Sequence, residues 1–233
     1  MTTPFPFPPE YHFPPFFTRQ TNLTTHHAQL IKWSSLVLAY CRHHRILKLS
    51  LSGEKGITMN PNPGELPPPP PPTSTTTTTT AAAAAASSPT ASLEIDTTDL
   101  FHNKRINRRL SPADIREVID FLRKDGRAEY VGGSPPPAPS RSGEVAGSGA
   151  TGMAWIYWRT PEEWAALVEG WVDATGQKGS VLTVFELVEG DGSRGTEFHG
   201  LDQELLLKAL QVLVKRGKAQ VFGNEDSLGV KFF

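Results

Sequence analysis

The chain has 233 residues, one cysteine and a formal net charge of −1 at pH 7. A single cysteine excludes an internal disulfide, and the N-terminus lacks the pattern of a signal peptide, which favours a reducing, cytoplasmic location. No apolar run approaches the roughly 18 residues of a membrane-spanning helix. Basic residues prevail up to Arg159 and acidic ones from Thr160 onward, so the second half favours a basic partner over nucleic acid.

Residues 1–22 form a proline-rich arm in which aromatic side chains stand between the prolines. Proline fixes φ and lacks a backbone donor, so this composition argues against a helix and predicts an extended, polyproline-like segment. Stiff prolines lose little entropy on docking, and Tyr11, Phe16 and Phe17 are suited to pockets of a folded partner. Other interpretations stay open: the aromatics fold back on their own first domain as a hydrophobic clasp, or the arm is disordered or bound by SH3- or WW-like modules.

The first half continues with elements that apolar spacing, caps and turn residues predict. Ser111-Pro112 is a strong helix start, because serine is a preferred N-cap and proline fits the first helical position. The segment rich in Pro, Thr and Ala reads as a low-complexity insert. In chain order we predict a helix over 24–44, a strand over 46–51, the insert over 52–92, a helical turn at Leu100-Phe101, a helix from Ser111 to Asp125-Gly126, and strands over 127–131 and 153–158 joined by a loose loop over 132–152.

The second half starts again at Thr160-Pro161, where Thr160 and Glu163 form a predicted capping box. A second capping box, Thr183 with Glu186, predicts a short helix. The predicted elements are a helix from Thr160 to about Ala174, a strand over 180–182, the short helix from Thr183, a helix over 203–216 capped by Asp202, and two strands over 219–222 and 228–233.

The two halves are related in sequence. The segment 122–130 returns as 213–221, with the same Leu, Lys, Gly and Ala positions, and the helix faces upstream share the i, i+3, i+4, i+7 spacing. Each copy orders its elements as helix, strand, helix, helix, strand, wing loop, strand, which is the order of a winged helix. The predicted fold is α+β, with an arm over 1–22, one winged-helix domain over 23–159 and a second over 160–233.

Several motifs together resemble one family. These are Pro-Pro-Glu-Tyr-His-Phe-Pro-Pro-Phe-Phe-Thr-Arg-Gln over 8–20, Arg159-Thr-Pro-Glu-Glu-Trp164, Phe185-Glu-Leu187 and Glu197-Phe-His-Gly-Leu-Asp202. They are similar to the small tandem winged-helix subunits of the ESCRT-II complex. The similarity covers the arm and both domains but not 52–92 and 132–152, which read as lineage-specific insertions.

The resemblance implies a non-enzymatic assembly subunit for multivesicular-body sorting of ubiquitinated membrane cargo on endosomes. It implies a Y-shaped complex of two larger winged-helix subunits, one copy each, with two copies of this chain, and only peripheral membrane contact. The arm and first domain would dock on a larger subunit. The positions carried over for that contact are Pro8, Pro9, Tyr11, Pro14, Pro15, Phe16, Phe17 and Arg19.

The resemblance also implies that the second domain recruits the N-terminal helix of an ESCRT-III subunit. The matching segment runs from Val181 to Leu187, and the acidic side chains in and after it would attract a basic helix. The positions carried over are Val181, Thr183, Glu186, Glu189 and Asp191.

The main alternative is a winged-helix DNA-binding transcription factor, and a free-standing proline-rich adaptor is a third possibility. In a DNA-binding winged helix the helix before the hairpin carries the basic residues. Here that helix carries three basic and four acidic residues in the first copy, and three basic and two acidic residues in the second, so neither has a strongly basic face. One basic cluster exists, from Lys104 to Arg109, and it is either a solvated loop or a contact for phosphates or an anionic membrane.

No cofactor and no metal is expected. Cys41 and His44 form an i, i+3 pair, but no second cysteine is available, and adjacent His26 and His27 point to different faces of a helix. The histidines and acidic pairs show no acid/base spacing, so catalysis is unsupported. Trp33, Trp164 and Trp171 are expected in the core, whereas strand alternation should send one of Trp155 and Trp158 inward and the other to the surface.

Overall fold

The computed structural model describes residues 4–59, 94–133, 152–224 and 227–233. Two winged-helix units follow the arm in tandem, which confirms the predicted α+β fold. The first unit comprises α1 (Leu23–His43), β1 (Ile46–Ser50), β2 (Lys55–Thr58), β3 (Glu94–Asp96), α2 (Thr98–Phe101), β4 (His102–Asn103), β5 (Arg108–Arg109), α3 (Pro112–Lys124), β6 (Ala128–Tyr130) and β7 (Met153–Ile156).

The second unit is simpler, with three α-helices and one three-stranded sheet among its described residues. A 3-10 helix, Asp191–Ser193, follows its short central helix. Its elements are α4 (Pro161–Thr175), β8 (Val181–Thr183), α5 (Val184–Glu189), α6 (Gln203–Lys215), β9 (Ala219–Asn224) and β10 (Ser227–Phe232).

The two sheets share one topology. In the first unit β1 pairs with β7, and β7 pairs with β6; in the second unit β8 pairs with β10, and β10 pairs with β9. All four pairings are antiparallel, so the strand after the first helix lies beside the last strand of each wing. The common strand order agrees with the sequence repeat, although the first unit adds β2 and β3 on the outer side of β1.

Helix starts follow the predicted caps. The Ser111 side chain accepts the N–H of Asp114, Thr160 forms a capping box with Glu163, and Asp202 accepts the N–H of Glu204. Each bond satisfies a backbone donor that the first helical turn leaves free. These local rules act over three or four residues, which is why the sequence alone locates the starts of α3, α4 and α6.

The predicted insert begins too early, because β2 (Lys55–Thr58) pairs with β1 inside it. Gly56 leaves no room for a side chain there, since a Cβ atom would lie 2.9 Å from Cγ2 of Thr97. Two glycines and two charges surround this short strand, so its apolar pattern is too weak to detect. The remaining insert, 60–92, and most of the wing loop, 134–151, lie outside the described residues, and the domain boundary at 159/160 stays a prediction.

Both Trp155 and Trp158 are buried. The expectation that one of these two tryptophans of the predicted strand 153–158 lies at the surface is therefore wrong. The indole Nε1 of Trp158 donates to the Ile46 carbonyl at 2.9 Å, and its ring meets Trp164 edge-on with centroids 5.1 Å apart. Trp155 lies beneath the Lys208 ammonium of α6, 5.4 Å from the ring centroid. Side chains along β7 still alternate between the two faces of the sheet, but the second unit covers the face that would otherwise meet solvent. Trp33 and Trp164 are buried as expected, and Trp171 is half-buried against Phe198.

Polar contacts surround the tryptophans between the units. Lys48 of β1 binds Asp202 at 2.9 Å, and Lys208 of α6 donates to Glu129 at 2.8 Å and to the Tyr157 hydroxyl at 3.1 Å. The side chains of these ion pairs are only partly shielded, so each adds a modest free energy. Apolar burial is the larger contribution, and the buried side chains of the two units form one contiguous cluster.

We expect Trp158→Ala to uncouple the two units. The variant removes a buried ring and a buried hydrogen bond, at a cost of about 3 to 5 kcal/mol in the free energy of unfolding. Calorimetry of the wild-type chain should give one cooperative transition, and the variant should give two. An unchanged single transition at the wild-type temperature would contradict this account of the contact.

Candidate functional site: the arm and the outer face of the second unit

The arm consists of two short 3-10 helices, Pro9–His12 and Pro14–Phe17, and is not the extended segment that its composition predicts. The Tyr11 N–H binds the Pro8 carbonyl, and the Phe16 N–H binds the Phe13 carbonyl, both at 2.9 Å. Proline is compatible with the first turn of a helix, where its missing N–H has no partner to lose. Both helices begin with proline, so the same residues that exclude a long helix permit these short ones.

The arm's aromatic rings are buried on the chain's own first unit. Tyr11, Phe16 and Phe17 are 3%, 6% and 5% exposed. The Phe16 ring stacks on Trp33 of α1 with centroids 4.4 Å apart and planes 7° apart, and Phe17 meets the same indole edge-on at 5.3 Å. The expectation that these rings project outward is therefore wrong for the chain by itself, and the hydrophobic clasp is the arrangement observed.

Buried polar side chains hold the arm's backbone in place. Gln29 of α1 donates to the Phe16 carbonyl at 2.7 Å, and the Trp33 indole donates to the same oxygen at 3.0 Å. Asn103 donates to the Tyr11 carbonyl at 2.7 Å. A buried carbonyl without a partner is costly, so these contacts fix the backbone of the arm in addition to the packing of its rings.

The arm's hydroxyl and charged groups bind the same unit. The Tyr11 hydroxyl donates to the Asp99 carbonyl, and burial, with a smaller contribution from the nearby Asp99 charge, raises the pKa of Tyr11 well above its usual value. Arg19 binds Glu117 of α3 at 3.3 Å, and the same carboxylate oxygen lies 2.9 Å from Nε2 of His26. Arg19 thus ties the end of the arm to α3 through an exposed ion pair.

The arm nevertheless leaves an apolar edge in solvent. Phe13 is 61% exposed, Pro14 and Pro15 are exposed, and Pro8 is half-buried beside exposed Pro9. Phe13 is absent from the predicted contact set, although it lies between the two proline pairs. Next to it an open groove of about 200 Å³ runs between the arm and α1, with Glu10, Phe13, Pro15, Gln20 and Lys32 among its lining residues.

The predicted contact residues of the second unit lie together around β8 and α5. Val181 is exposed, whereas Thr183 and Glu186 are engaged with each other in the capping box. Hydrogen bonds from Thr183 lower the pKa of the Glu186 carboxyl. Glu189 is half-buried, and Asp191 binds Arg194 at 3.0 Å. Capping therefore explains two of the five positions, and Val181 is the apolar one among them.

Two exposed aromatic rings extend this surface beyond the predicted set. Phe185 of α5 is 66% exposed, and Phe222 of β9 is 44% exposed. The strand register places Thr183, Gly229 and Phe222 in one row, and the Phe222 ring lies across Gly229, where a Cβ atom would be 2.7 Å from its Cε2. Phe185 could have been predicted from the sequence. It begins the motif Phe185-Glu-Leu187, which is one of those that carry the resemblance, and it lies two residues after the N-cap Thr183.

The remaining candidates from the sequence have structural roles. Cys41 is fully buried, and burial raises the pKa of its thiol. Within the described ranges, no group of three or more His, Cys, Asp or Glu side chains is placed to hold a metal ion. None of the helices in those ranges is long and apolar enough to cross a membrane.

Replacing Phe16 should separate the structural rings of the arm from its exposed ones. Phe16→Ala removes a buried ring and its stacking on Trp33, so we expect the free energy of unfolding to fall by about 3 to 5 kcal/mol. Phe13→Ala is the matched control, with an expected change within about 0.5 kcal/mol because that ring is exposed. Denaturant titration measures both, and equal stabilities for the two variants would disprove the clasp.

Comparison with known proteins agrees with these features. A family model described as ESCRT-II complex subunit matches residues 10–202. Vacuolar protein-sorting-associated protein 25 of Xenopus laevis is 33% identical over 98% of this chain and 99% of its own length, and the Homo sapiens protein of that name is 33% identical over the full length of both. In fold, the chain resembles the crystal structure of subunit VPS25 of the endosomal trafficking complex ESCRT-II, with a TM-score of 0.64 and 23% identity over 99% of each chain. A full-length match to these relatives, with two winged helices and the arm in place, makes this chain a member of the ESCRT-II complex subunit family.

Proposed function

We propose that the chain is a non-enzymatic assembly subunit of an ESCRT-II complex. In this role it acts from the cytoplasm at the endosomal membrane, in multivesicular-body sorting of ubiquitinated membrane cargo. The observation that carries the proposal is the full-length similarity to vacuolar protein-sorting-associated protein 25. A chain of similar fold occurs in the crystal structure of the endosomal complex ESCRT-II, which contains VPS22, VPS25 and VPS36. The partners we propose are accordingly two larger winged-helix subunits, with two copies of this chain per complex.

The arm and first unit are proposed to dock on a larger subunit. The contact positions divide into two roles, because the buried rings Tyr11, Phe16 and Phe17 shape the arm while other residues meet the partner. Pro9, Pro14 and Pro15 are exposed, and Phe13 beside them is the largest apolar side chain the arm leaves in solvent. A partner side chain entering the groove would cover Phe13 and Pro15. Rigid support from Trp33 lowers the entropy that docking costs.

The surface of the arm can be tested by co-purification. We expect Phe13→Ala to weaken assembly with the co-expressed larger subunits about tenfold or more, because a central aromatic commonly contributes 2 kcal/mol or more to an interface. Leu23→Ala is the control, since Leu23 is also apolar and exposed but lies outside the groove lining. Both variants should keep the wild-type melting temperature. Full assembly by the Phe13 variant would remove this groove as the docking site.

The second unit is proposed to recruit the N-terminal helix of an ESCRT-III subunit. Val181 and Phe185 offer exposed apolar surface on β8 and α5. Glu189 and Asp191 follow directly in the chain and favour a helix with a basic flank. Apolar contacts would set the affinity of such an interface, and the carboxylates would mainly raise its association rate.

Two kinds of variant separate these contributions. Phe185→Ala should lower the affinity for an ESCRT-III N-terminal helix peptide about tenfold or more, whereas Val214→Ala, an exposed apolar residue on α6, should leave it unchanged. Glu189→Lys with Asp191→Lys should slow association at low salt and change the dissociation rate less. Surface plasmon resonance measures both rates, and wild-type binding by the Phe185 variant would contradict this placement.

The comparisons give no support to the alternative of a DNA-binding transcription factor. The helices before the two hairpins carry acidic side chains among the basic ones, and Arg123 of α3 binds Asp120 of the same helix at 3.5 Å. A duplex-binding helix needs several unpaired cations facing the phosphates. We therefore propose no nucleic acid partner and no cofactor for this chain.

A further inference from the structure

The loop over 190–201 joins α5 to α6 in the second unit and contacts the first unit through Glu197. The Glu197 carbonyl accepts a hydrogen bond from Nη2 of Arg45 at 2.6 Å. Its carboxylate accepts two bonds from one guanidinium, from Nε of Arg159 at 2.9 Å and from Nη2 at 2.5 Å. Arg45 lies between α1 and β1, whereas Arg159 directly precedes the N-cap of α4. Two arginines from distant parts of the chain therefore hold one residue of this loop.

The backbone of Arg45 is in the left-handed region, with a φ of 54°. A Cβ atom makes this conformation unfavourable, so glycine is the usual residue just after a helix. Three other long helices follow that rule, since α3, α4 and α6 are followed by Gly126, Gly176 and Gly217, with φ of 69°, 67° and 70°. If residue 45 only ended α1, glycine would suit it as well. An arginine under backbone strain indicates that its side chain has a role, and the bond to Glu197 supplies one.

The loop of Glu197 is also fixed within the second unit. Phe198 is 2% exposed and meets Trp171 of α4 edge-on, with ring centroids 5.7 Å apart. The Gly200 N–H donates to the Val188 carbonyl of α5 at 2.8 Å. The loop therefore moves with α4 and α5, and a constraint on Glu197 constrains the second unit as a whole.

Other contacts between the units attract without fixing an angle. Burial of the tryptophan rings is favourable, but apolar burial has no preferred direction. Lys48 and Lys208 are point charges on flexible stems. A guanidinium that binds both oxygens of a carboxylate is planar and adds geometric specificity, so the two bonds between Arg159 and Glu197 align in one relative placement. Both side chains are partly exposed, so this pair contributes little attraction of its own.

We infer that Glu197 is a positioning residue that sets the angle between the two units. Its consequence rests on the proposed function, because the arm packs on α1 and the loop of Glu197 directly follows α5. The contact with Arg45 joins these two elements, which carry the proposed surfaces for the larger subunit and for the ESCRT-III helix. A fixed angle keeps the two surfaces at a constant spacing, so less orientational entropy is lost when both are occupied.

Double electron–electron resonance on the full-length chain tests whether the angle is fixed. Nitroxide labels are attached to Ser35→Cys on α1 and Gln220→Cys on β9, where both positions are exposed, while Cys41 is fully buried. The labelled chain without further change should give one narrow distance distribution. Arg45→Gly with Glu197→Gln removes the contact and keeps a residue that tolerates a φ of 54°, so it should broaden the distribution and add a second maximum.

Two further variants separate geometry from charge. Arg159→Lys keeps the positive charge but loses the two-bond geometry, so it should broaden the distribution as well. Asp173→Asn is the matched control, because it also removes one ion pair, that with Lys178 at 2.8 Å, but inside the second unit. It should keep the narrow distribution. Calorimetry should show a single transition in every variant, since the tryptophan rings still hold the units together.

Several results would overturn the inference. They are a broad distribution in the labelled chain itself, an unchanged distribution in the double variant or in the lysine variant, and equal broadening in the control. Two thermal transitions in the double variant would also overturn it, because the cluster would then supply attraction and not orientation. The measurement needs no partner, so each of these results would leave the proposed assembly role untouched, and a failure of assembly would leave the measured angle unchanged.

Discussion

The packing of the arm on Trp33 is the interaction on which the surface of the first unit depends. One indole takes Phe16 on its face and Phe17 at its edge, and its N–H holds the Phe16 carbonyl between them. Without the arm, this large side chain of α1 would be exposed to water, and without the indole the arm would lose its main apolar contact. Each therefore makes the other stable, and the contact fixes the second 3-10 helix of the arm, Pro14–Phe17, on α1.

Burial divides one short motif into two roles. In the second 3-10 helix the prolines at its start face solvent while the two rings at its end face α1. The motif thus supplies the attachment of the arm on one side and, on the other, the surface that we propose for a partner. A mutation in it acts on stability or on assembly according to the side that it changes.

On the other side of the first unit, the second unit covers the sheet. Trp155 lies on β7 and Trp158 lies two residues after it, and α6 and Trp164 cover them together with the ion pairs of Lys48 and Lys208. The chain is consequently held as one body from the arm to the second wing. Such rigidity fits the proposed role, in which the subunit presents two binding surfaces at a fixed spacing, because fixed geometry lowers the entropy lost when both are occupied.

The sequence by itself determined what depends on neighbouring residues. Caps at Ser111, Thr160 and Asp202 located three helix starts, since a cap satisfies donors only two or three residues away, and the repeated helix-strand pattern predicted the winged-helix order. The motifs around the arm also indicated the family. Only the tertiary structure decided which side of each motif is buried. Phe16 and Phe17 face inward because they pack on Trp33 of a separate helix, Tyr11 because its hydroxyl and carbonyl bind Asp99 and Asn103, and Phe13 faces outward; no local pattern encodes contacts between distant segments.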